Sequence, residues 1–327
     1  MSEGAKLRSL QLAFVLSWSS GWIGAELIYP LASTSVVLLV RFSVAAVILT
    51  AIIGVLDLMH RRRSRRERDP LRDAALVQGR QSFARDAAAG LLAQAVWLWA
   101  VIEGQRYGLS PGANAILNAL QPFVAATVTH FAQKKQLGTQ FWLGLLLAFA
   151  GVVAVVFEQT QLGGAPLWVF VFPLISISSM TAAVLVQKRG DGVGARDDRD
   201  SSGVTGRRRA PAPKLRSLRN QTAVAAVAAA LLMLVNPEIF IQWSWATAGL
   251  LLAIALIPTL AAYFLLWQLV EETSPHEASS LFLASPPTTM LLSWIILGTS
   301  ITALQIVGAA AVLAGLIVAN RKRKQTA

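Results

Sequence analysis

Residues 109–131 read LSPGANAILNALQPFVAATVTHF. A helix over this stretch rises about 1.5 Å per residue and spans roughly 30 Å, the thickness of a bilayer's hydrocarbon. It holds no Asp, Glu, Lys or Arg, but it carries three amides, Asn114, Asn118 and Gln121, and a proline, Pro122. The amides fall at i, i+4 and i+7, which puts them on one helical face. Polar groups are costly in hydrocarbon, so that face is expected to point into a bundle. Pro122 has no N–H to offer the Asn118 carbonyl and is expected to kink the helix there.

The stretch has a counterpart 164 residues further on. Ser110-Pro111 matches Ser274-Pro275, Pro122 matches Pro286, and Gly144 and Gly151 match Gly308 and Gly315. Positions sharing one offset across neighbouring candidate spans mark an internal repeat. The first copy covers residues 1–158 and the second 166–320, joined by 159–166 with its Gly163-Gly164. Residues 321–327 form a basic tail.

The rest of the chain is built for the same medium. Apolar residues make up 55% of its 327 residues and charged residues 14%, against about 25% charge in a soluble domain. Mean hydropathy is +0.56. This excludes an ordinary soluble enzyme and a disordered chain. The absence of cysteine excludes a disulfide scaffold, a thiolate zinc site, an iron–sulfur cluster and a cysteine nucleophile. Ten apolar blocks are read as spans: 10–29, 33–56, 87–103, 109–131, 141–157, 167–186, 221–235, 247–270, 278–297 and 301–319. The expected fold is therefore an all-α integral membrane protein with ten transmembrane helices. Five spans per copy, an odd number, turn the second copy upside down, so the two form inverted five-helix repeats.

Charge placement orients the chain. With the N-terminus inside, 27 of the 29 Lys and Arg fall on the inner side, most of them in the loops 57–86 and 187–219. Only Arg41 and Arg106 lie elsewhere. This is a positive-inside pattern, with both termini expected in the cytoplasm of a bacterial cell and the chain in its inner membrane. The net charge of +12 thus reads as solvated loops. No nucleic-acid partner is expected, because the loops show neither aromatic interleaving nor a recognition fold.

Several short motifs together resemble a known family. Trp18-Ser19-Ser20-Gly21-Trp22-Ile23-Gly24-Ala25, Leu39-Val40-Arg41-Phe42, Leu120-Gln121-Pro122, Gln187-Lys188-Arg189, and Ala278-Ser279-Ser280-Leu281-Phe282 with Pro286-Pro287 occur in the order found in the drug/metabolite transporter superfamily. The chain resembles its ten-helix members with two EamA-type repeats. It departs from them at Gly298-Thr299, where Gly-Glu is usual. The resemblance implies export of small metabolites, often amino acids.

The candidate substrate-binding residues are Trp18, Arg41, Trp97, Asn114, Asn118, Gln121, Tyr263 and Trp267. The three amides offer ligand contacts or helix–helix hydrogen bonds. Trp18, Trp97, Tyr263 and Trp267 are placed to line a pocket for an apolar or aromatic solute. Arg41 lies about 15 Å deep and needs a partner. Glu26 is the nearest carboxylate in sequence, and a substrate carboxylate is the other candidate. Ser279, Ser280 and Ser285 lie beside Pro286 and Pro287 in the second copy. Trp142, Trp168, Trp243 and Trp245 fall at span ends and read as an interfacial belt.

No enzyme motif is present. There is no P-loop, G-x-S-x-G or H-E-x-x-H, and the three histidines show no metal-ligand spacing. Neither an enzymatic activity nor a cofactor nor a metal is expected. The expected function is a secondary transporter exporting a small organic metabolite such as an amino acid by alternating access. Its partners are that solute and the lipid bilayer, and a homodimer is left open. Two alternatives stay open beside it: an exchanger of phosphorylated or nucleotide-linked solutes, and a non-transporting membrane scaffold or lipid-handling protein.

Overall fold

The computed structural model describes residues 3–63, 83–133, 138–161, 163–194, 212–235, 239–273 and 281–320. In chain order they form α1 (Glu3–Ile28), α2 (Thr34–Arg63), α3 (Phe83–Arg106), α4 (Pro111–Asn118), α5 (Gln121–Gln133) and α6 (Thr139–Gln161). There follow α7 (Val171–Gly194) and α8 (Ala212–Val235). Next is α9, which runs through Trp245–Ile254, Ala255–Ala261 and Ala262–Glu272. The order ends with α10 (Ser285–Leu297) and α11 (Ala303–Asn320). One-turn 3₁₀ segments, Leu167–Phe170 and Leu281–Ala284, lead into α7 and α10. Among the described residues there is no strand, only one isolated antiparallel bridge between Ala32 and Ile241.

Six helices are long and apolar enough to cross a membrane: Thr34–Met59, Phe83–Arg106, Thr139–Gln161, Leu167–Gln187, Lys214–Val235 and Trp245–Val270. Leu281–Leu297 and Ala303–Ala319 are shorter and apolar. The ten blocks read from the sequence thus give six unbroken spans on this criterion. α1 has the length, but Ser17, Ser19, Ser20 and Glu26 dilute its apolar run. Outward faces are apolar: Leu143, Leu146, Phe149, Val153 and Phe157 of α6 are all exposed. An exposed stripe of this kind is what a lipid-facing helix presents. Trp142, Trp168, Trp243 and Trp245 are also exposed.

The stretch 109–131 is not one kinked helix. It breaks completely after Asn118, at Ala119 and Leu120, and a new helix begins at Gln121. In a first turn proline's missing N–H has no partner to lose, whereas inside an α-helix it breaks a hydrogen bond and kinks or ends the helix. Pro122 is the second residue of α5, and Pro286 is the second residue of α10. A helix therefore restarts at each of these two prolines. Gln121 belongs to α5 and does not continue the α4 face of Asn114 and Asn118, which corrects the single amide face read from the spacing. Ser110 caps α4, accepting from the Ala113 N–H at 3.3 Å, with Pro111 as its first residue. Ser274, Pro275, Ser279 and Ser280 lie outside the described residues.

α6 and α11 pack backbone to backbone. A Cβ on Gly144 would lie 2.4 Å from the Gly315 carbonyl oxygen, and one on Gly151 would lie 2.5 Å from that of Gly308. The other main pairings are α2 with α8, α4 with α10, α1 with α9 and α10, α3 with α7 and α8, α2 with α9, and α7 with α4 and α5. Exchanging the first five spans for the second five leaves this set of pairings unchanged. A matched detail lies in the third span of each half. α3 has a π-helical turn at Gly90–Val96 and α9 has one at Ala255–Ala261. Such turns often mark functional sites in helices.

Candidate functional site

The second π turn packs on α1 and α2, and the first packs on α7 and α8. A Cβ on Gly21 would lie 3.1 Å from the Pro258 side chain, so α1 and α9 are in close contact there. Pro258 sits inside the second π turn and Thr259 follows it. The Thr259 Oγ1 donates to the Ile254 carbonyl at 3.2 Å and accepts from the Arg41 Nε at 2.7 Å. Arg41 is 7% exposed. Among the described residues it makes no ion pair, so Thr259, not Glu26, is its partner. Its terminal guanidinium nitrogens are left unbonded at a recess of about 40 Å³ lined also by Gln94, Trp97, Thr259 and Tyr263.

A cavity of about 700 Å³ shares Trp18, Trp22, Trp97 and Met180 with the recess and is also lined by Asn118, Gln121 and Phe282. Aromatic rings share its walls. Trp18 stacks on Trp97 at 6.1 Å and meets Tyr263 and Phe282 edge-on at 6.4 and 4.9 Å. Trp22 meets Trp97 edge-on at 6.0 Å. Offset and edge-on pairs of this kind hold rings rigidly. The cavity follows α5 down to Thr129 and His130.

The opposite end of the bundle is held shut by hydrogen bonds. Ser33 N–H donates to the Phe240 carbonyl at 2.9 Å, and Gln242 N–H to the Leu31 carbonyl at 2.7 Å. The Gln305 amide donates to Glu158 at 3.0 Å, the Gln159 amide also donates to Glu158, and the Gln159 Oε1 accepts the Ser110 N–H at 2.9 Å. These bonds tie α11 and α6 to the start of α4.

The structure brings six of the eight candidate residues to this space: Trp18, Arg41, Trp97, Asn118, Gln121 and Tyr263. Asn114 is fully buried behind it and donates to the Val101 carbonyl at 3.0 Å. Trp267 packs on Phe264 and the apolar cluster around Leu49 and Leu260, lining neither the recess nor the cavity. Asn118 is committed to protein. Its Oδ1 accepts from Trp97 Nε1 at 3.3 Å and Ser176 Oγ at 2.8 Å, and its Nδ2 donates to the Asn114 carbonyl at 3.0 Å. It therefore positions Trp97. Gln121 makes no such bond among the described residues and keeps its amide for the cavity. The sequence reading missed Gln94, Thr259, Trp22 and Met180. Gln94 and Thr259 were findable as lone polar residues within apolar spans, but nothing in the sequence distinguishes Met180.

Residues 209–321 match the model of the EamA-like transporter family. The match lies in the second half of this multi-pass membrane protein. Over its whole length the chain is also similar in fold to a solved protein whose title reads only "Crystal structure of protein". The two share 13% identity and a TM-score of 0.57, with 97% of each chain covered. No curated protein matches the chain.

Proposed function

We propose that this chain is a secondary transporter of a bacterial inner membrane that exports a small organic metabolite carrying a carboxylate, such as an amino acid. The observation that carries this reading is Arg41. Its guanidinium has N–H groups unbonded among the described residues in a recess that shares Trp18, Trp22, Trp97 and Met180 with the aromatic-lined cavity, inside a bundle of membrane-crossing helices. A buried cation without a protein carboxylate is costly, and a substrate carboxylate in bidentate contact removes that cost. Ten spans in two inverted repeats suit this function, because a site between the repeats is reached from either side by rocking one against the other. The exchanged helix pairings and the aligned helix breaks support that architecture. With both termini in the cytoplasm, the cavity descends towards the cytoplasmic face and the hydrogen-bonded end is the outer gate. A phosphorylated solute fits less well, since phosphate calls for several cations and Arg41 is the one Arg or Lys among the described lining residues.

The test is thermal stabilisation of the detergent-purified protein by a panel of amino acids, organic acids and sugar phosphates, followed by counterflow of the best ligand in proteoliposomes. Stabilisation and counterflow by carboxylates with apolar bodies are expected. Stabilisation by phospholipid alone, with no soluble solute active, would favour the lipid-handling reading and overturn this one.

A further inference from the structure

The hydrogen bonds between α3 and α8 run in one direction. Asp86, near the start of α3, is buried at 8% exposure. Its Oδ1 accepts from Ser217 Oγ at 2.5 Å and its Oδ2 from Asn220 Nδ2 at 2.9 Å. A carboxylate only accepts, so the single hydroxyl proton of Ser217 is committed to it. The Ser217 oxygen must then accept, and it takes the Gln221 Nε2 at 3.1 Å. Gln221 therefore turns its Oε1 towards α3, where Gln94 Nε2 donates to it at 3.2 Å. Gln94 is left with its Oε1 buried and without a hydrogen-bond partner. That residue, 4% exposed, lines the recess that holds Arg41. Gly90, between Asp86 and Gln94 on the same face, permits the approach: a Cβ there would lie 2.3 Å from the Gln221 carbonyl oxygen.

We propose that Gln94 is a specificity determinant, its Oε1 held as an acceptor by the Gln221–Ser217–Asp86 chain to receive an N–H or O–H of the solute bound at Arg41. This rests on the carboxylate reading above and adds a second point of recognition. The solute class is a small organic acid with an amino or hydroxyl group beside its carboxylate. The recess of about 40 Å³ takes that polar head, and the cavity of about 700 Å³ takes an apolar or aromatic body. A donor from the solute satisfies an oxygen that is otherwise buried and unbonded. A site built to accept such a bond discriminates strongly against the analogue that lacks it.

The experiment compares binding of 2-amino-3-phenylpropanoate and 3-phenylpropanoate to the purified full-length protein by calorimetry. The native protein is expected to favour the amino acid by roughly 10- to 100-fold, the range that one buried hydrogen bond supports. Gln94→Leu is expected to bring the two affinities within about 3-fold while 3-phenylpropanoate still binds as before. Ser217→Ala, which lines neither space, frees the Gln221 and Gln94 amides to turn over. It should lower the preference without changing 3-phenylpropanoate binding, a split that a purely structural role does not produce. Should Gln94→Leu fail to accumulate, Ser217→Ala decides alone. A preference that survives these substitutions, or two affinities that fall together, overturns the acceptor role. Equal binding of both probes by the native protein also overturns it and leaves the carboxylate role of Arg41 standing. Binding of neither probe overturns the carboxylate reading and this inference with it.

Discussion

Gly144 of α6 and Gly315 of α11 meet backbone to backbone, and the contact recurs in mirrored order: Gly151 meets Gly308. Each glycine faces the repeat counterpart of its partner seven residues away. Two antiparallel helices touch in this reciprocal way when a two-fold axis passes between them, perpendicular to both. For helices that cross the membrane, such an axis lies near the membrane plane, as the proposed inverted repeat requires.

Alanine at any of these four glycines should destabilise the protein. The atom met at Gly144, Gly151 and Gly315 is a carbonyl oxygen at 2.4–2.5 Å, and at Gly308 a Val155 methyl lies at 2.6 Å with the Gly151 oxygen at 2.9 Å. Backbone cannot rotate aside, so overpacking of about 1–3 kcal/mol is expected at each. Melting in detergent checks this, with Gly54→Ala and Gly249→Ala as controls, since nothing lies within 4 Å of a Cβ at either. A reciprocal interface predicts comparable losses for Gly144→Ala and Gly315→Ala.

Arg41→Lys should transport weakly and Arg41→Leu not at all, with normal membrane abundance of both. Lysine keeps the charge but loses the planar fork that matches a carboxylate. It also loses the Nε–H that Thr259 accepts at 2.7 Å. Counterflow in proteoliposomes measures the order. Collapse of Arg41→Leu abundance together with a Thr259→Val collapse would place Arg41 in the scaffold.

Gln121 and Asn118 should separate binding from stability. Asn118 bonds Trp97, Ser176 and Asn114, so Asn118→Leu orphans buried groups at about 1–3 kcal/mol each and lowers both melting temperature and affinity. Gln121→Leu breaks no protein hydrogen bond among the described residues. It should alter solute affinity and leave melting nearly unchanged.

The orientation of the chain is checked by cysteine labelling, which the cysteine-free sequence makes clean. Cysteines at Ser64 and Ser202, in the two basic loops, should escape an impermeant maleimide in intact cells. A cysteine at Tyr107, which is 42% exposed in the turn after α3, should react. Labelling at Ser202 from outside would reverse the topology.

The membrane medium was legible in the sequence, and the proposed repeat and orientation are read from it in the same way, because each rests on a property that adds up along the chain. Hydropathy, the offset of 164 residues and the placement of charge need no knowledge of which helix touches which. The glycines that carry the α6–α11 contact were visible as repeat markers for the same reason. What the sequence did not determine was pairing. Arg41 met Thr259, 218 residues away, rather than Glu26, since a buried group bonds whatever the packing brings to it. The amide triad came apart because Pro122 started a new helix instead of bending the old one, leaving Asn118 to hold Trp97 and Gln121 to face the cavity. Gln94 passed as one polar residue in an apolar span. Its unbonded oxygen exists only because a chain of donors ending on Asp86 fixes which way its amide turns, and direction in a hydrogen-bond chain is a property of the folded helices alone.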